Sequence, residues 1–145
     1  MADLDDNCLF CKIIKGEIPS YKVFENDDVY AFLDISQVTR GHVLMVPKKH
    51  IENLLHYSEE DAARYLRYIP TIAKAIAKSN PEIKGMNITT NNGKIAGQAV
   101  MHSHVHFIPR YSENGDSLKV RHIDNSDKYD EKAYQKVADE IKAAF

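Results

Sequence analysis

His102-Ser103-His104-Val105-His106-Phe107-Ile108 sets three imidazoles on alternate residues, and a period of two belongs to an extended strand. In such a chain His102, His104 and His106 face one way, about 6.6 Å apart, while Ser103, Val105 and Phe107 face the other. Imidazoles titrate near neutrality, ligate metals and attack phosphorus or acyl centres. A row of three on one face therefore marks chemistry, and any fold for this chain must present one face of that strand to a ligand or a cleft.

The segments around the row read as short strands and two helical stripes. Leu9 to Lys15 predicts a short helix stopped by Gly16 and Pro19. Tyr21–Glu25 and Val29–Leu33 read as a hairpin closed by Asn26-Asp27-Asp28, and His42–Val46 reads as a third strand between Gly41 and Pro47. Ser58 and Asp61 have capping-box spacing, and Ala62, Tyr65, Leu66, Ile69, Ile72, Ala73 and Ile76 form one stripe that Pro70 must kink or split. Gly85–Thr90 predicts a fourth strand, Asn91–Gly97 a loop and the histidine run a fifth strand. A helix from about Glu131 carries Ala133, Tyr134, Val137, Ala138 and Ile141 on one side. Strands and helices do not alternate strictly, so the expectation is α+β: one domain over residues 1–145, an antiparallel sheet of five strands, a long helix and a C-terminal helix over about 131–145.

Charge and hydropathy narrow the partners. With 19 basic against 21 acidic residues the formal net charge is −2, which supplies no global field for nucleic acid or an anionic membrane. No run approaches a membrane span, and Met1-Ala2-Asp3-Leu4-Asp5-Asp6 is the reverse of a basic leader, so a cytoplasmic protein is expected. The polar stretch from Tyr111 to Lys128, with Asn114-Gly115, reads as mobile, and His56 and His122 read as surface residues without assigned function.

The two cysteines, Cys8 and Cys11, form a Cys-x-x-Cys ahead of any strand, which favours metal over a thioredoxin-like redox site. Three strand histidines converge poorly on one ion, because the outer pair stands about 13 Å apart while metal–nitrogen bonds are about 2 Å. One terminal histidine shared with the thiolates is more natural. His50, just past Pro47-Lys48-Lys49, completes the set Cys8, Cys11, His50 and His102, a closed, structural zinc site. His104 is then free for chemistry, with His106 and His42 as neighbours. Backbone N–H groups of the Asn91–Ala99 loop are candidates for phosphate oxygens, although no Gly-Lys-Ser/Thr makes it a P-loop.

Gly97-Gln98-Ala99-Val100 followed by His102-x-His104-x-His106-Phe107-Ile108 resembles the histidine-triad (HIT) family of nucleotide-binding proteins. Phe10-x-Lys12-Ile13-Ile14-x-Gly16-Glu17-Ile18-Pro19, Phe32-Leu33-Asp34-Ile35 and Gly41-His42-Val43-x-x-Val46-Pro47-Lys48-Lys49-His50 extend the resemblance over about residues 8–110. It implies a homodimer acting on a purine nucleotide or nucleotide conjugate at the α-phosphate. His104 would be the nucleophile of a nucleotidyl–histidine intermediate, supported by His42, His102 and His106. Asp34 would bind ribose, and Leu9, Phe10, Ile13, Phe32 and Ile35 the nucleoside. Asn91, Gly97, Gln98 and Ala99 would face phosphate. Bacterial members with Cys-x-x-Cys bind zinc, which agrees with the ligand set above. Ala99 stands where the phosphoramidase branch often has serine, and that branch's tryptophan-containing tail is missing. Ile108-Pro109-Arg110 looks closer to dinucleoside polyphosphate hydrolases. Phosphoramidates, acyl-adenylates and dinucleoside polyphosphates all stay open as substrates. Two other readings compete with the enzyme: a nucleotide-binding signalling or scaffold protein with little turnover, and a metalloenzyme whose triad holds a catalytic metal.

Overall fold

A computed structural model describes residues 3–111 and 124–145. His122, the Asn114-Gly115 turn and most of the polar 111–128 stretch lie outside the described residues. Five antiparallel strands form one sheet in the order β1-β2-β3-β5-β4. They are β1 (Lys22–Glu25), β2 (Val29–Leu33), β3 (Val43–Pro47), β4 (Gly85–Thr89) and β5 (Val105–Arg110). The hairpin forms where expected, and the Asn26 side chain accepts from the amides of Asp28 and Val29, both at 2.9 Å.

Strand alternation gives the sheet two different faces. Val29, Ala31, Val43, Met45, Val105 and Phe107 turn to one side, where they pack on Tyr65, Ile72 and Ile76. Tyr30, Phe32, Leu44 and Val46 turn to the other, under the short helix α1 (Leu9–Ile14) with its buried Phe10, Cys11, Ile13 and Ile14. Pairing carries the second set across the strands, Phe32 opposite Leu44 and Leu44 opposite His106. His106 thus stands on the α1 face.

The expected long helix is broken at Pro70. Helix α2 (Glu59–Tyr65) opens on the Ser58–Asp61 capping box, a 3₁₀ turn spans Leu66–Tyr68, and α3 (Ile69–Ser79) begins again with proline in its first turn. There the missing N–H is harmless, because the first turn has no carbonyl of its own to bond. The C-terminal helix α4 (Glu131–Ala143) is capped by Asp130, yet Tyr134, Val137 and Ile141 stay about half exposed, so its apolar stripe forms without being buried. Among the described residues no helix is long and apolar enough to cross a membrane.

The histidine row departs from expectation in one respect: β5 begins at Val105, so only His106 belongs to the strand. The backbone of 102–104 finds partners outside the ladder. Ser103 N–H donates to Ile51 O at 2.6 Å, and Thr90 Oγ1 donates to His104 O at 2.8 Å. The segment stays extended enough for alternation to persist, with Ser103 bonded to Tyr57 and Val105 and Phe107 in the helix-side core.

Candidate active site and metal centre

Helix α1 places Cys8 at its N-cap and Cys11 one turn later, both buried and unbridged. Cys8 Sγ lies 3.3 Å and Cys11 Sγ 3.4 Å from His102 Nδ1, and Cys11 Sγ lies 3.5 Å from His50 Nδ1. Bonds of about 2.3 Å to sulfur and about 2.0 Å to nitrogen in a tetrahedron set ligand atoms about 3.5 Å apart. The sequence-derived set of Cys8, Cys11, His50 and His102 has that spacing, with all ligand atoms within 4.8 Å of one another, and could hold a metal ion. His102 is fully buried and its Nε2 lies 3.1 Å from Pro47 O. Donation to that carbonyl leaves the Nδ1 lone pair facing the sulfurs, the arrangement metal-binding histidines use. Burial pushes the Cys11 thiol up to about 12. A coordinated cation reverses that direction, since it holds a thiol deprotonated.

His104 sits on the same face beyond His102. Its Nδ1 lies 2.7 Å from the His102 backbone carbonyl, which can only accept, so Nδ1 carries the proton and Nε2 keeps its lone pair. Phe10 stands edge-on to both imidazoles, at 5.0 Å from His104 and 5.9 Å from His102 between ring centroids. His106 follows at 5.0 Å from His104.

His42 closes the row. The Val38 amide donates to its Nδ1 at 3.2 Å, so its proton lies on Nε2, which is 3.0 Å from His106 Nδ1. A directed chain follows: Val38 N–H to His42, His42 Nε2–H to His106 Nδ1, and a remaining N–H on His106 Nε2. Asp34 Oδ2 lies 3.6 Å from His42 Nε2, and Asp34, His42 and His106 are also close enough to group around an ion. That grouping suits a metal poorly, because a metal on His42 Nε2 would move the proton to Nδ1, against the Val38 N–H. The Gln37 side chain shapes this corner. Its amide nitrogen donates to the carbonyls of Asp34 and His42, and its oxygen accepts from the amides of Gly41 and His42. Gly41, at φ +92, has Pro109 Cγ only 3.4 Å from where a Cβ would stand.

Burial lowers every imidazole of the row. His102 falls to about 4 through burial, against the Pro47 hydrogen bond. His106 falls to about 4 through burial and then through repulsion from His104 and His42. His104 is lowered by burial and partly restored by its bond to the His102 carbonyl and by Asp34. His42 is lowered by burial, raised by Asp34 and lowered again by the Arg110 charge. The row is held neutral, which a nucleophilic imidazole requires.

The remaining sequence-derived residues divide. Phe10, Ile13 and Phe32 are buried together, with Phe10 edge-on to Phe32 at 5.6 Å, and Asp34 is half-buried. Leu9 and Ile35 are exposed, Ile35 at 86%, at a rim. Gln98 is 2% exposed, and its side chain is fully occupied. Its oxygen accepts from Gly93 N–H at 2.8 Å and Asn53 Nδ2 at 3.2 Å, while its nitrogen donates to Glu52 O at 2.6 Å and Val100 O at 3.0 Å. The amides of Gly97 and Gln98 turn inward to Lys94 O and Gly93 O, and Asn91 Nδ2 lies 3.4 Å from Gly97 O. Which carbonyl holds His104, the Phe10 edge contacts, Gln37, and Asn53 and Asn92 in the 91–98 loop lock carry no signal in the sequence. A polar side chain among loop residues carries no signal of its burial. His56 is exposed in an ion pair with Glu52, as expected of a surface residue.

An open antiparallel α+β sheet with imidazoles lined along one face, beside a cysteine–histidine cluster, defines a histidine-based site of the triad type. The HIT domain model matches residues 15–113, and the chain belongs to the HIT domain family. "Protein hit" of Bacillus subtilis is 47% identical over 136 residues, covering 94% of this chain and 92% of that protein. Adenosine 5'-monophosphoramidase HNT1 of Saccharomyces cerevisiae is 46% identical over 112 residues, covering 77% of this chain and 68% of that protein. The crystal structure of a HIT family member from Bacillus subtilis superposes with a TM-score of 0.90 at 46% identity, covering 97% of this chain and 98% of that one.

Proposed function

We propose that this chain is a purine nucleotide hydrolase or transferase that acts at the α-phosphate through His104. The observation that carries the reading is the 2.7 Å approach of His104 Nδ1 to the His102 carbonyl, which fixes the tautomer with a free Nε2 lone pair in a buried, neutral ring. His104 Nε2 attacks phosphorus, a P–N bond forms, and the bond to the leaving group breaks. The leaving group takes the proton of His106 Nε2–H, which the His42 relay keeps on that nitrogen. Water then attacks the nucleotidyl–histidine, returns a proton to His106 and frees His104.

Phe10, Ile13 and Phe32 form the nucleoside wall with Leu9 and Ile35 at its rim, and Asp34 takes the ribose hydroxyls. Asn91, Gly97, Gln98 and Ala99 make the phosphate-side loop, Gln98 by bracing it, since its own donors are used. Cys8, Cys11, His50 and His102 hold zinc, as in the zinc-binding type of HIT protein. Four protein ligands would close the site to substrate, and the bound ion would add folding energy. Relatives named adenosine 5'-monophosphoramidase support a nucleoside phosphoramidate as substrate. Among the described residues β4 is an edge strand and the apolar stripe of α4 is about half exposed, which supports a homodimer, and the unbridged cysteine pair supports the cytoplasm.

Incubation with adenosine 5'-phosphoramidate tests the reading: AMP is released, and rapid acid quench followed by peptide mass spectrometry finds adenylate on His104. No adenylate and no turnover across phosphoramidates, acyl-adenylates and dinucleoside polyphosphates, together with tight AMP binding, would establish instead the nucleotide-binding reading. Ala99, which removes a hydroxyl from the phosphate-side loop, favours that alternative.

A further inference from the structure

Each candidate metal ligand has a contact or a chain neighbour that reaches the segment carrying His104. His102 supplies the carbonyl that accepts His104 Nδ1–H at 2.7 Å. Phe10, between Cys8 and Cys11 on α1, meets the His104 ring at 5.0 Å. Ile51, next to His50, accepts Ser103 N–H at 2.6 Å, and Ser103 is the link between His102 and His104. The next residues, Glu52, Asn53 and Leu54, bond to Gln98 and Asn92 of the phosphate-side loop.

We propose that Cys8, Cys11, His50 and His102 are positioning residues for catalysis: holding one metal ion, they fix the His102 carbonyl and so the tautomer and aim of His104. This rests on the nucleotide-hydrolase reading. A site that only stabilises the fold needs no strut to the nucleophile. Here three struts of different kinds, a carbonyl, an aromatic edge and a backbone amide, converge on residues 102–104. His102 is the pivot, because its ring is pinned between the sulfurs and Pro47 O while its own carbonyl holds His104. Releasing the ring on the sulfur side frees the peptide that orients the nucleophile. Groups that orient metal-ligating histidines change affinity or activity by about 10- to 100-fold when lost, and the same scale is expected for groups that orient a nucleophilic one.

The test uses the full chain, loaded with zinc and then stripped by a chelator, with nitrogen-15 on the histidines. In the loaded protein, long-range nitrogen–proton correlation shows His104 as one neutral tautomer protonated on Nδ1. In the stripped protein the two tautomers exchange, and kcat on adenosine 5'-phosphoramidate falls about 10- to 100-fold with a smaller change in KM. The double variant Cys8→Ala with Cys11→Ala, which removes the two sulfurs facing His102 Nδ1, gives the same mixed tautomers while circular dichroism shows the fold retained, and it serves if stripping unfolds the wild type. A single Nδ1–H tautomer in the folded stripped protein or in the folded double cysteine variant overturns the proposal, as does failure of the wild type to bind zinc stoichiometrically. If neither form turns over any nucleotide, the functional reading fails, and the tautomer comparison still decides the positioning role.

Discussion

The two faces of the sheet are cut from the same strands and do opposite work. On the α3 side Val29, Ala31, Val43, Met45, Val105 and Phe107 meet Ile72 and Ile76 in an apolar layer. On the α1 side the same strands show Tyr30, Phe32, Leu44 and Val46, and beside them lie His42, His102, His104 and Cys11, all nearly or fully buried. Buried polar groups are tolerable only when paired, and each of these imidazoles has a specific partner. One face supplies stability through area removed from water; the other uses that stability to keep neutral, oriented imidazoles in a dry place.

If that division is right, the largest effects of substitution separate cleanly. His104→Asn should lower turnover on the order of 10⁴-fold or more while leaving the urea midpoint close to wild type, since it removes the nucleophile and little packing. Residual activity near the wild-type rate would refute the role of His104. Phe107→Ala, three residues further on, on the opposite face and 0% exposed, should cost about 3–5 kcal/mol of stability in urea unfolding. At a denaturant-free temperature where it remains folded, its kcat should stay close to wild type. A collapse of kcat in folded Phe107→Ala would show that the faces are not separable.

Gln98→Leu should fall between the two classes. It leaves Gly93 N–H, Asn53 and the Glu52 and Val100 carbonyls without their partner, at about 1–3 kcal/mol for an unsatisfied buried group. A loop brace predicts lower stability together with a raised KM. Unchanged KM in the folded variant would make Gln98 a purely structural residue.

The division itself was partly legible in the sequence. Period-two alternation in Val29–Leu33 and in the histidine run fixes which residues share a face, while Ser58 marks a helix start and Pro70 a break through local hydrogen bonding or ring geometry alone. Metal-ligand chemistry and reach limit which cysteines and histidines can meet, so Cys8, Cys11, His50 and His102 could be grouped before any fold was known. What sequence does not carry is where a strand stops pairing. β5 begins at Val105 because Ser103 finds Ile51 and His104 finds Thr90, both distant in the chain. The burial of Gln98 and the exposure of the α4 stripe are likewise set by tertiary neighbours, which neither propensity nor periodicity encodes.

The smallest effect separates the faces by titration. Among the described residues only the α1 side carries buried imidazoles, and His102 and His106 are both depressed to about 4 from an ordinary 6.5. Between those values the unfolded chain binds protons that the native protein refuses, so their neutral burial costs nothing above pH 6.5 and lowers stability steadily as pH falls toward 4. Carboxylates held down by hydrogen bonds and ion pairs, such as Asp28 with the Tyr68 hydroxyl and Arg64, begin to lose their contribution only below the ordinary carboxylate range. The interval from about pH 6.5 to about 4.5 therefore belongs to the histidines. In chelator, which removes the competing effect of protons on metal binding, the melting temperature should decline across that interval, and His106→Asn should flatten the decline while Phe107→Leu leaves its slope unchanged. An equal slope in wild type and His106→Asn would mean that His106 titrates normally in the folded protein, and the asymmetry between the faces would then be one of shape and not of charge.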